Sequence, residues 1–376
     1  MALGSLQAIP RGGVVLDPMA GSGTVLRQAA LSGRSAIGYD LDPLAVCIAR
    51  AETMRIDGAR VEAAAAQAVR EAERLQLSET ALPWIDQDEE TVHFIGYWFA
   101  RKQRTALRKL ARVLWSGQWD AADRNILFVA LSRLIVTKER GASLARDVSH
   151  SRPHRVAATN DFDVLDEFRR AARRVGEYVS ANPKGNHISI GLGDARRLAV
   201  RSASVDGVIT SPPYLNAIDY LRGHRLSLVW MGYSLKDLRR IRGDSIGAER
   251  SAQEWSDKGV DCIVKAIADS RALSSRHHGL LRRYAGDIRL VMSEAARVIK
   301  PNGRVVIVIG NSCLEGTFFH NSAGVTVAAR MAGLELESES ERDLPLASRY
   351  LPVPADRTCA LSKRIRTENV LTFSRN

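Results

Sequence analysis

The residues of this sequence that could do chemistry begin at the end of its first apolar run. Asp17 and Pro18 follow Val14-Val15-Leu16, and the turn Gly21-Ser22-Gly23-Thr24 comes soon after them. A glycine turn lets backbone amides approach a ligand closely. Asp40 ends the next apolar run, about 20 residues further on, where an acid can accept hydrogen bonds from ribose hydroxyls. This spacing indicates a site for a nucleoside cofactor.

The glycine turn departs from the common phosphate-binding patterns. Leu26 stands where a dinucleotide fingerprint needs its third glycine, and no Gly-Lys pair followed by Ser or Thr occurs in the turn. The glycine turn is therefore poorly suited to bind a pyrophosphate or a triphosphate. Alone, the two glycines could form an ordinary turn, but the acid at the second strand end favours a ligand site.

A second group of residues follows the apolar run Val205 to Ile209. It reads Thr210-Ser211-Pro212-Pro213-Tyr214. Two consecutive prolines fix the backbone and remove two amide donors, which leaves carbonyl acceptors, and Tyr214 adds an aromatic face beside them. This arrangement is suited to a flat ring that bears an amino group.

The elements that must position these residues are strands that alternate with helices. The sequence predicts strands over 14–16 and 35–39, each followed by a helix, which is typical of a parallel, doubly wound α/β sheet. Strand patterns resume over 187–192, 205–209, 304–309 and 369–373. An amphipathic helix over 282–299 is expected to end at Pro301-Asn302-Gly303.

The chain is longer than one usual domain, so we expect a catalytic core with an insertion. Residues 1–56 and 183–376 are assigned to the core, within which 216–283 are basic and are expected to contact DNA. Residues 57–182 are rich in Ala and Arg and have helical periodicity without a convincing strand. We expect this insertion to serve target recognition or oligomerisation.

The net charge and the cysteine content indicate which kinds of ligand the protein could bind. Lys and Arg number 54 against 42 Asp and Glu, a formal charge of +12, and such a surface attracts polyanions such as nucleic acid. The four cysteines are far apart, which predicts reduced thiols and no metal site. The sequence has no apolar run of membrane-spanning length and no secretion signal, so a cytoplasmic location is expected.

The Asp-Pro-Met-Ala-Gly-Ser-Gly-Thr and Thr-Ser-Pro-Pro-Tyr segments together resemble motifs I and IV of the DNA amino-methyltransferases, which modify cytosine N4 or adenine N6. The resemblance covers about 200 to 230 residues in three pieces. It implies a mostly parallel, seven-stranded class I methyltransferase fold with a helical insertion, and S-adenosylmethionine as the cofactor.

The resemblance also implies roles for single residues. Asp17, Pro18, Gly21, Gly23 and Thr24 would line the methionine side of the cofactor, Asp40 would bind the ribose, and Asp194 the adenine amino group. Ser211, Pro212, Pro213 and Tyr214 would hold the target base, which has to be flipped out of a DNA duplex. The serine form of the motif is commoner in the cytosine branch, so cytosine N4 is preferred and adenine N6 is next. A restriction partner is compatible with this family.

Two departures and several alternatives accompany the resemblance. Family members usually carry a segment ahead of motif I, whereas only Met1 to Gly12 precede the first strand here, so we expect that segment elsewhere, a truncated chain or weaker cofactor binding. The long block between the motifs is the second departure. The alternatives are an RNA base methyltransferase acting on tRNA, a DNA-binding subunit with impaired catalysis, and a methyltransferase acting on protein glutamine.

Several basic stretches are candidates for contacts with phosphates, although each one taken alone is more typical of a solvated helix face. They are Arg169-Arg170, Arg173-Arg174, Arg239-Arg240 with Arg242, and Lys363-Arg364 with Arg366. The segment Ser151-Arg152-Pro153-His154-Arg155 predicts an exposed loop that could touch DNA, with His154 in a structural role.

Overall fold

In the computed structural model the chain folds as two units. The structure describes residues 2–137, 140–146, 153–182, 185–215, 219–247, 257–268, 273–314, 317–343 and 367–375. One unit, the sheet unit, comprises Met1–Leu41, Gly185–Ala217 and Gly243–Asn376. The other, the helical unit, comprises Asp42–Lys184 and Ile218–Arg242.

These bounds differ from the expected ones in two places. The helix Pro43–Thr53 belongs to the helical unit because Leu44 and Ala51 pack in that unit's core. Residues 218–242 also belong there, whereas the rest of the expected 216–283 insertion belongs to the sheet unit.

The sheet unit is built on one sheet of seven strands. With strands and helices numbered along the whole chain, its strands are β1 Val14–Asp17, β2 Ser35–Asp40, β5 Ile188–Leu192, β6 Val205–Thr210, β7 Ile299–Ile309, β10 Glu335–Asp343 and β11 Thr367–Ser374. Their order across the sheet is β10-β11-β7-β6-β1-β2-β5.

Most pairs in this sheet are parallel. β5, β2, β1, β6 and β7 pair in parallel, and β11 runs antiparallel to both β7 and β10. The predicted class I methyltransferase fold is therefore confirmed. The strand order reverses between β1 and β6, and in such sheets ligands bind beyond the carboxyl ends of the strands at this switch point.

Helices cover both faces of the sheet. They are α1 Ala2–Gln7, α2 Thr24–Leu31, α12 Lys258–Ile267, α13 Ser275–Val298 and α14 Asn321–Met331. Because side chains alternate along a strand, Val305 and Ile307 of β7 join the core under α12 to α14, and Val306 joins the core under α1 and α2. A short antiparallel pair, β8 Ser312–Leu314 and β9 Thr317–Phe319, follows β7.

The predicted end of one helix, Ile299, is confirmed to within one residue, whereas its predicted start, Arg282, and its expected terminator are wrong. α13 begins at Ser275, where the Ser274 hydroxyl caps the His277 amide, and it ends at Val298. Pro301, Asn302 and Gly303 do not terminate it, because they lie inside β7, which begins at Ile299. The register of β7 against β6 shifts across this stretch, so a bulge accommodates the proline and the left-handed Asn302 (φ 61°).

The helical unit consists almost entirely of helices. They are α3 Pro43–Thr53, α4 Gly58–Arg74, a 3₁₀ turn Leu77–Glu79, α5 Pro83–Asp86, α6 Glu89–Trp98, α7 Arg101–Ser116, α8 Ala121–Ile135, α9 Val164–Ser180, α10 Tyr220–Leu228 and α11 Leu235–Asp244. The sequence missed one strand pair, β3 Ala145–Arg146 with β4 His154–Arg155, because two residues each give no periodicity.

Aspartates begin many of these helices. Asp42, Asp57, Asp88, Asp120 and Asp163 each accept a hydrogen bond from a first-turn amide, which satisfies donors that have no partner within the helix. Within the described ranges, no helix has both the length and the apolar character needed to span a membrane.

Candidate active site

The candidate site residues lie at the carboxyl ends of four neighbouring parallel strands in the sheet unit. Asp17 is the last residue of β1, Asp40 of β2 and Thr210 of β6, and Asp194 comes two residues after β5. Carboxyl ends of parallel strands share one edge of the sheet. The two motifs, far apart in the sequence, therefore meet at the switch point.

The glycine turn requires glycine for its backbone conformation. Gly21 and Gly23 have φ angles of 51° and 82°, which L-residues with a side chain rarely adopt. The Gly23 amide donates to the Ala20 carbonyl at 2.8 Å, and Gly23 then caps α2. A Cβ at Gly21 would meet no atom within 4 Å, so the space beside the turn is open.

Asp40 holds this turn in place. Its Oδ2 accepts a hydrogen bond from the Gly21 amide at 2.8 Å, and its carbonyl accepts one from the Gly193 amide at 3.1 Å. One residue at the end of β2 thus links the glycine turn to the loop after β5.

Asp17 is a buried acid of the site with a raised pKa. It is 3% exposed, and its Oδ1 accepts from the Thr210 hydroxyl at 2.7 Å and from the Met19 amide at 3.2 Å. Burial raises the pKa of this carboxyl to about 7, although both hydrogen bonds oppose the shift, and the charge of Asp40 raises it slightly further. A cation beside Asp17 would favour its ionised form.

Asp194 forms an ion pair with Arg196, a residue that the sequence analysis did not identify. Its carboxylate accepts from the Arg196 backbone amide at 2.9 Å and from the guanidinium at 2.7 to 3.1 Å. The same guanidinium donates to Asp287 of α13 at 2.7 Å, and Asp287 accepts from the Gly247 amide at 2.9 Å. Arg196 therefore joins the loop after β5 to α13.

The Ser-Pro-Pro-Tyr segment leaves β6 with alternating exposure. Ser211 and Pro213 are exposed, Pro212 is buried and Tyr214 is half-buried. The Tyr214 hydroxyl donates to Glu368 of β11 at 2.6 Å, and Glu368 also accepts from Arg342 of β10. Burial, and then the bond and charge of Glu368, raise the pKa of Tyr214, so it stays neutral. The ring is therefore fixed by a carboxylate from the last strand.

A buried tyrosine lies beside this segment. Tyr284 of α13 is 1% exposed, and its hydroxyl has no hydrogen-bond partner among the residues that the structure describes. Burial raises its pKa, with smaller contributions from Tyr214 and Asp287. Sequence reasoning missed Tyr284, Asp287, Glu368 and Arg342, since nothing near them marks them. The proximity of Arg196 to Asp194 was the one available signal.

The predicted basic stretches are mostly paired with acids. Arg169 lies 3.3 Å from Glu73, Arg170 2.8 Å from both Asp166 and Glu167, Arg239 2.6 Å from Glu90, and Arg242 2.6 Å from Asp219. Lys363, Arg364 and Arg366 lie outside the described residues, as do Ser151 and Arg152. The Arg155 guanidinium lies 4.8 Å from the centre of the Tyr97 ring.

The chain resembles one curated protein in sequence. Type II methyltransferase M.BsoBI from Geobacillus stearothermophilus is 22% identical to it over 311 residues. The match covers 75% of this chain but only 57% of that protein, so the chain spans a little over half the length of this relative. No protein-family model matches the sequence.

Solved methyltransferase structures align with this chain at low TM-scores. A SAM-dependent methyltransferase from Methanosarcina mazei aligns with 98% of this chain and 95% of its own, at a TM-score of 0.35 and 8% identity. A proposed DNA modification methylase from Thermus thermophilus, complexed with S-adenosylmethionine, aligns with 49% of this chain and 51% of its own, at a TM-score of 0.26 and 17% identity.

Proposed function

We propose that this chain is an S-adenosylmethionine-dependent methyltransferase that modifies an exocyclic amino group of a DNA base, cytosine N4 by preference and adenine N6 next. The observation that carries the proposal is the hydrogen bond between Thr210 and Asp17, which joins the Ser-Pro-Pro-Tyr segment to the glycine turn at the switch point. A transferase needs its donor and acceptor sites adjacent, and these motifs are adjacent in this fold.

The acids of the sheet edge suit a cationic nucleoside cofactor. Asp17, Pro18, Gly21, Gly23 and Thr24 are proposed to hold the methionine portion. The buried Asp17 carboxyl would gain a cation as counterion, which offsets the cost of ionising it. Asp40 is proposed to bind the ribose hydroxyls while keeping the Gly21 amide in position.

Asp194 is proposed to accept from the adenine amino group. Two carboxylate oxygens offer about four acceptor positions, and Arg196 already donates to both oxygens. Adenine would therefore share Asp194 with Arg196. In this proposal Arg196 keeps the carboxylate ionised and oriented.

The Ser-Pro-Pro-Tyr segment is proposed to hold the target base. An aromatic amine is a poor nucleophile because its lone pair is delocalised, and acceptors on its two hydrogens favour the pyramidal nitrogen that can attack. Backbone carbonyls beside Pro212 and Pro213 and the Ser211 hydroxyl are such acceptors, and Tyr214 offers a fixed ring for stacking. S-adenosylmethionine, when bound, supplies the electrophilic methyl group, so the protein contributes mainly orientation and electrostatics.

The deciding experiment is methylation of unmethylated genomic DNA by the purified chain with isotopically labelled S-adenosylmethionine, followed by nucleoside mass spectrometry. We expect labelled N4-methylcytosine or N6-methyladenine, and Tyr214→Ala provides the matched inactive control. Label in tRNA and none in DNA would refute the DNA assignment. Absence of cofactor binding, measured by calorimetry, would refute the proposal as a whole.

A further inference from the structure

A cleft in the helical unit is lined by four arginines. Arg222 and Arg225 come from α10, and Arg239 and Arg242 come from α11. Glu90 and three leucines, Leu221, Leu235 and Leu238, form the rest of the lining. We call this the arginine cleft. All of its residues belong to one unit, so its geometry depends on that unit alone.

The positive charge of the arginine cleft exceeds its negative charge. Asp219 pairs with Arg242 at 2.6 Å and with Arg222 at 3.6 Å, and Glu90 pairs with Arg239 at 2.6 Å. Four guanidiniums thus face two carboxylates, an excess of two positive charges. Arg225 forms no ion pair with any acid in the part of the chain that the structure describes.

Arg225 is half-buried in the cleft. Its Nε is buried and has no hydrogen-bond partner among the described residues, and its guanidinium lies 5.1 Å from the centre of the Phe94 ring. Burial, and then the charges of Arg222 and Arg242, lower its pKa, while Asp219 only partly compensates. A guanidinium that is partly buried and carries no ion pair with the described acids favours an anionic ligand, because an anion would offset the cost of burying its charge.

We propose that the arginine cleft is a phosphate-binding site that holds a backbone phosphodiester of the nucleic-acid substrate. Guanidinium groups present planar, paired donors that match phosphate oxygens, and several of them around one point favour a group with more than two acceptor oxygens. Arg239 and Arg242 were expected to contact phosphates from the sequence, whereas Arg225 emerges only from the fold. This inference rests on the proposed function, which supplies the nucleic acid.

The test compares Arg225→Gln with Arg70→Gln, which removes one charge from an exposed position of α4 in the same unit. Binding of a fluorescently labelled duplex of about 20 base pairs is measured by anisotropy over a series of salt concentrations. We expect Arg225→Gln to weaken binding about tenfold and to reduce the slope of log K against log salt by about one. Arg70→Gln should leave both quantities close to wild type.

A second variant and two further measurements keep the outcome clear. Arg239→Gln, at the exposed side of the cleft, should reduce the slope in the same direction, and melting temperatures verify that each variant is folded. Equal slopes for Arg225→Gln, Arg239→Gln and Arg70→Gln would overturn the proposal. So would stabilisation by inorganic phosphate that depends on Arg225 without any change in duplex binding, because the ligand would then be a free phosphate.

The proposed methyltransferase function and the proposed phosphate site can be refuted independently of each other. Wild-type protein that binds cofactor and duplex with the expected Arg225 dependence but transfers no methyl group would refute the function and leave the phosphate site standing. Wild-type protein that methylates DNA with unchanged affinity in both cleft variants would refute the phosphate site alone.

Discussion

Thr210 donates a hydrogen bond from its hydroxyl to the carboxylate of Asp17, with 2.7 Å between Oγ1 and Oδ1 in the buried interior of the sheet unit. The two residues end β6 and β1, the strands on either side of the switch point. This bond fixes the start of the Ser-Pro-Pro-Tyr segment relative to the start of the glycine turn. The proposed donor and acceptor sites therefore share one buried contact.

We expect Thr210→Val to destabilise the fold by about 1 to 3 kcal/mol, because valine keeps the shape but leaves the buried Asp17 oxygen without this donor. Loss of the bond should also raise the pKa of Asp17, since the bond lowers it in the wild type. Urea unfolding at several pH values measures both effects. Thr372→Val, in β11, is a matched control, and an equal loss in both variants would contradict the assigned role of the bond.

The titration of Asp17 makes stability depend on pH. The pKa rises from 3.8 in the unfolded chain to about 7 in the folded protein, so the folded state binds more protons between these values. The free energy of unfolding contributed by this group is fully present below about pH 4 and is lost as the pH rises through 7. Asp17→Asn should flatten the pH dependence of stability over that range, and an unchanged profile would contradict the shifted pKa.

Six of the seven sheet strands and their mostly parallel arrangement could be predicted from the sequence, whereas β10 was not predicted, because its mostly exposed, charged residues form no apolar run. Each of these depends on local periodicity: apolar runs such as 14–16 and 35–39 end in acids, and glycines or a capping aspartate follow. Asp40 illustrates how far such reasoning extends. Its position at a strand end was predictable, whereas its bond to the Gly21 amide is visible only in the structure.

The contacts that orient the site could not be predicted, because they join residues far apart in the sequence. Glu368 reaches Tyr214 from the last strand, and Asp287 reaches Arg196 from α13. No local pattern encodes either pair. The mistaken terminator Pro301-Asn302-Gly303 has a related cause, since Ile299 and Arg304 on either side of it pair with β6 and place this turn-forming segment in a bulge inside β7.

Asp40→Ala should weaken S-adenosylmethionine binding about 10- to 100-fold, because hydrogen bonds to a charged acceptor contribute about 1.5–3 kcal/mol each. Asp40→Asn should lose less, since an amide oxygen can still accept from the Gly21 amide. Calorimetric titration of both variants gives the two dissociation constants. An unaltered constant in Asp40→Ala would show that the ribose binds elsewhere.

Arg196→Met should destabilise the sheet unit by about 3 kcal/mol, because it leaves the buried Asp287 carboxylate without its cation. Burial already raises the pKa of Asp287, so in the variant this acid should take up a proton more readily. The matched control is Arg197→Met, one residue along and exposed, which should change stability by less than about 0.5 kcal/mol. Chemical unfolding of both variants provides the comparison, and equal stabilities would mean that the Arg196 pairs contribute nothing net.

The two parts of Tyr214, its ring and its hydroxyl, should have separable effects. Tyr214→Ala removes the proposed stacking surface for the base, so methylation should fall at least about 100-fold while cofactor affinity stays within about twofold. Tyr214→Phe keeps the ring and removes only the hydroxyl, which donates to Glu368 and is also hydrogen-bonded to Ser211, so we expect a smaller loss of turnover and about 1 kcal/mol less stability. Single-turnover methylation and cofactor titration on the same preparations separate chemistry from binding. Full turnover in Tyr214→Ala would remove this residue from the base pocket. Equal losses in both variants would instead indicate that the reaction requires the Tyr214 hydroxyl, with its bonds to Glu368 and Ser211, rather than the aromatic face.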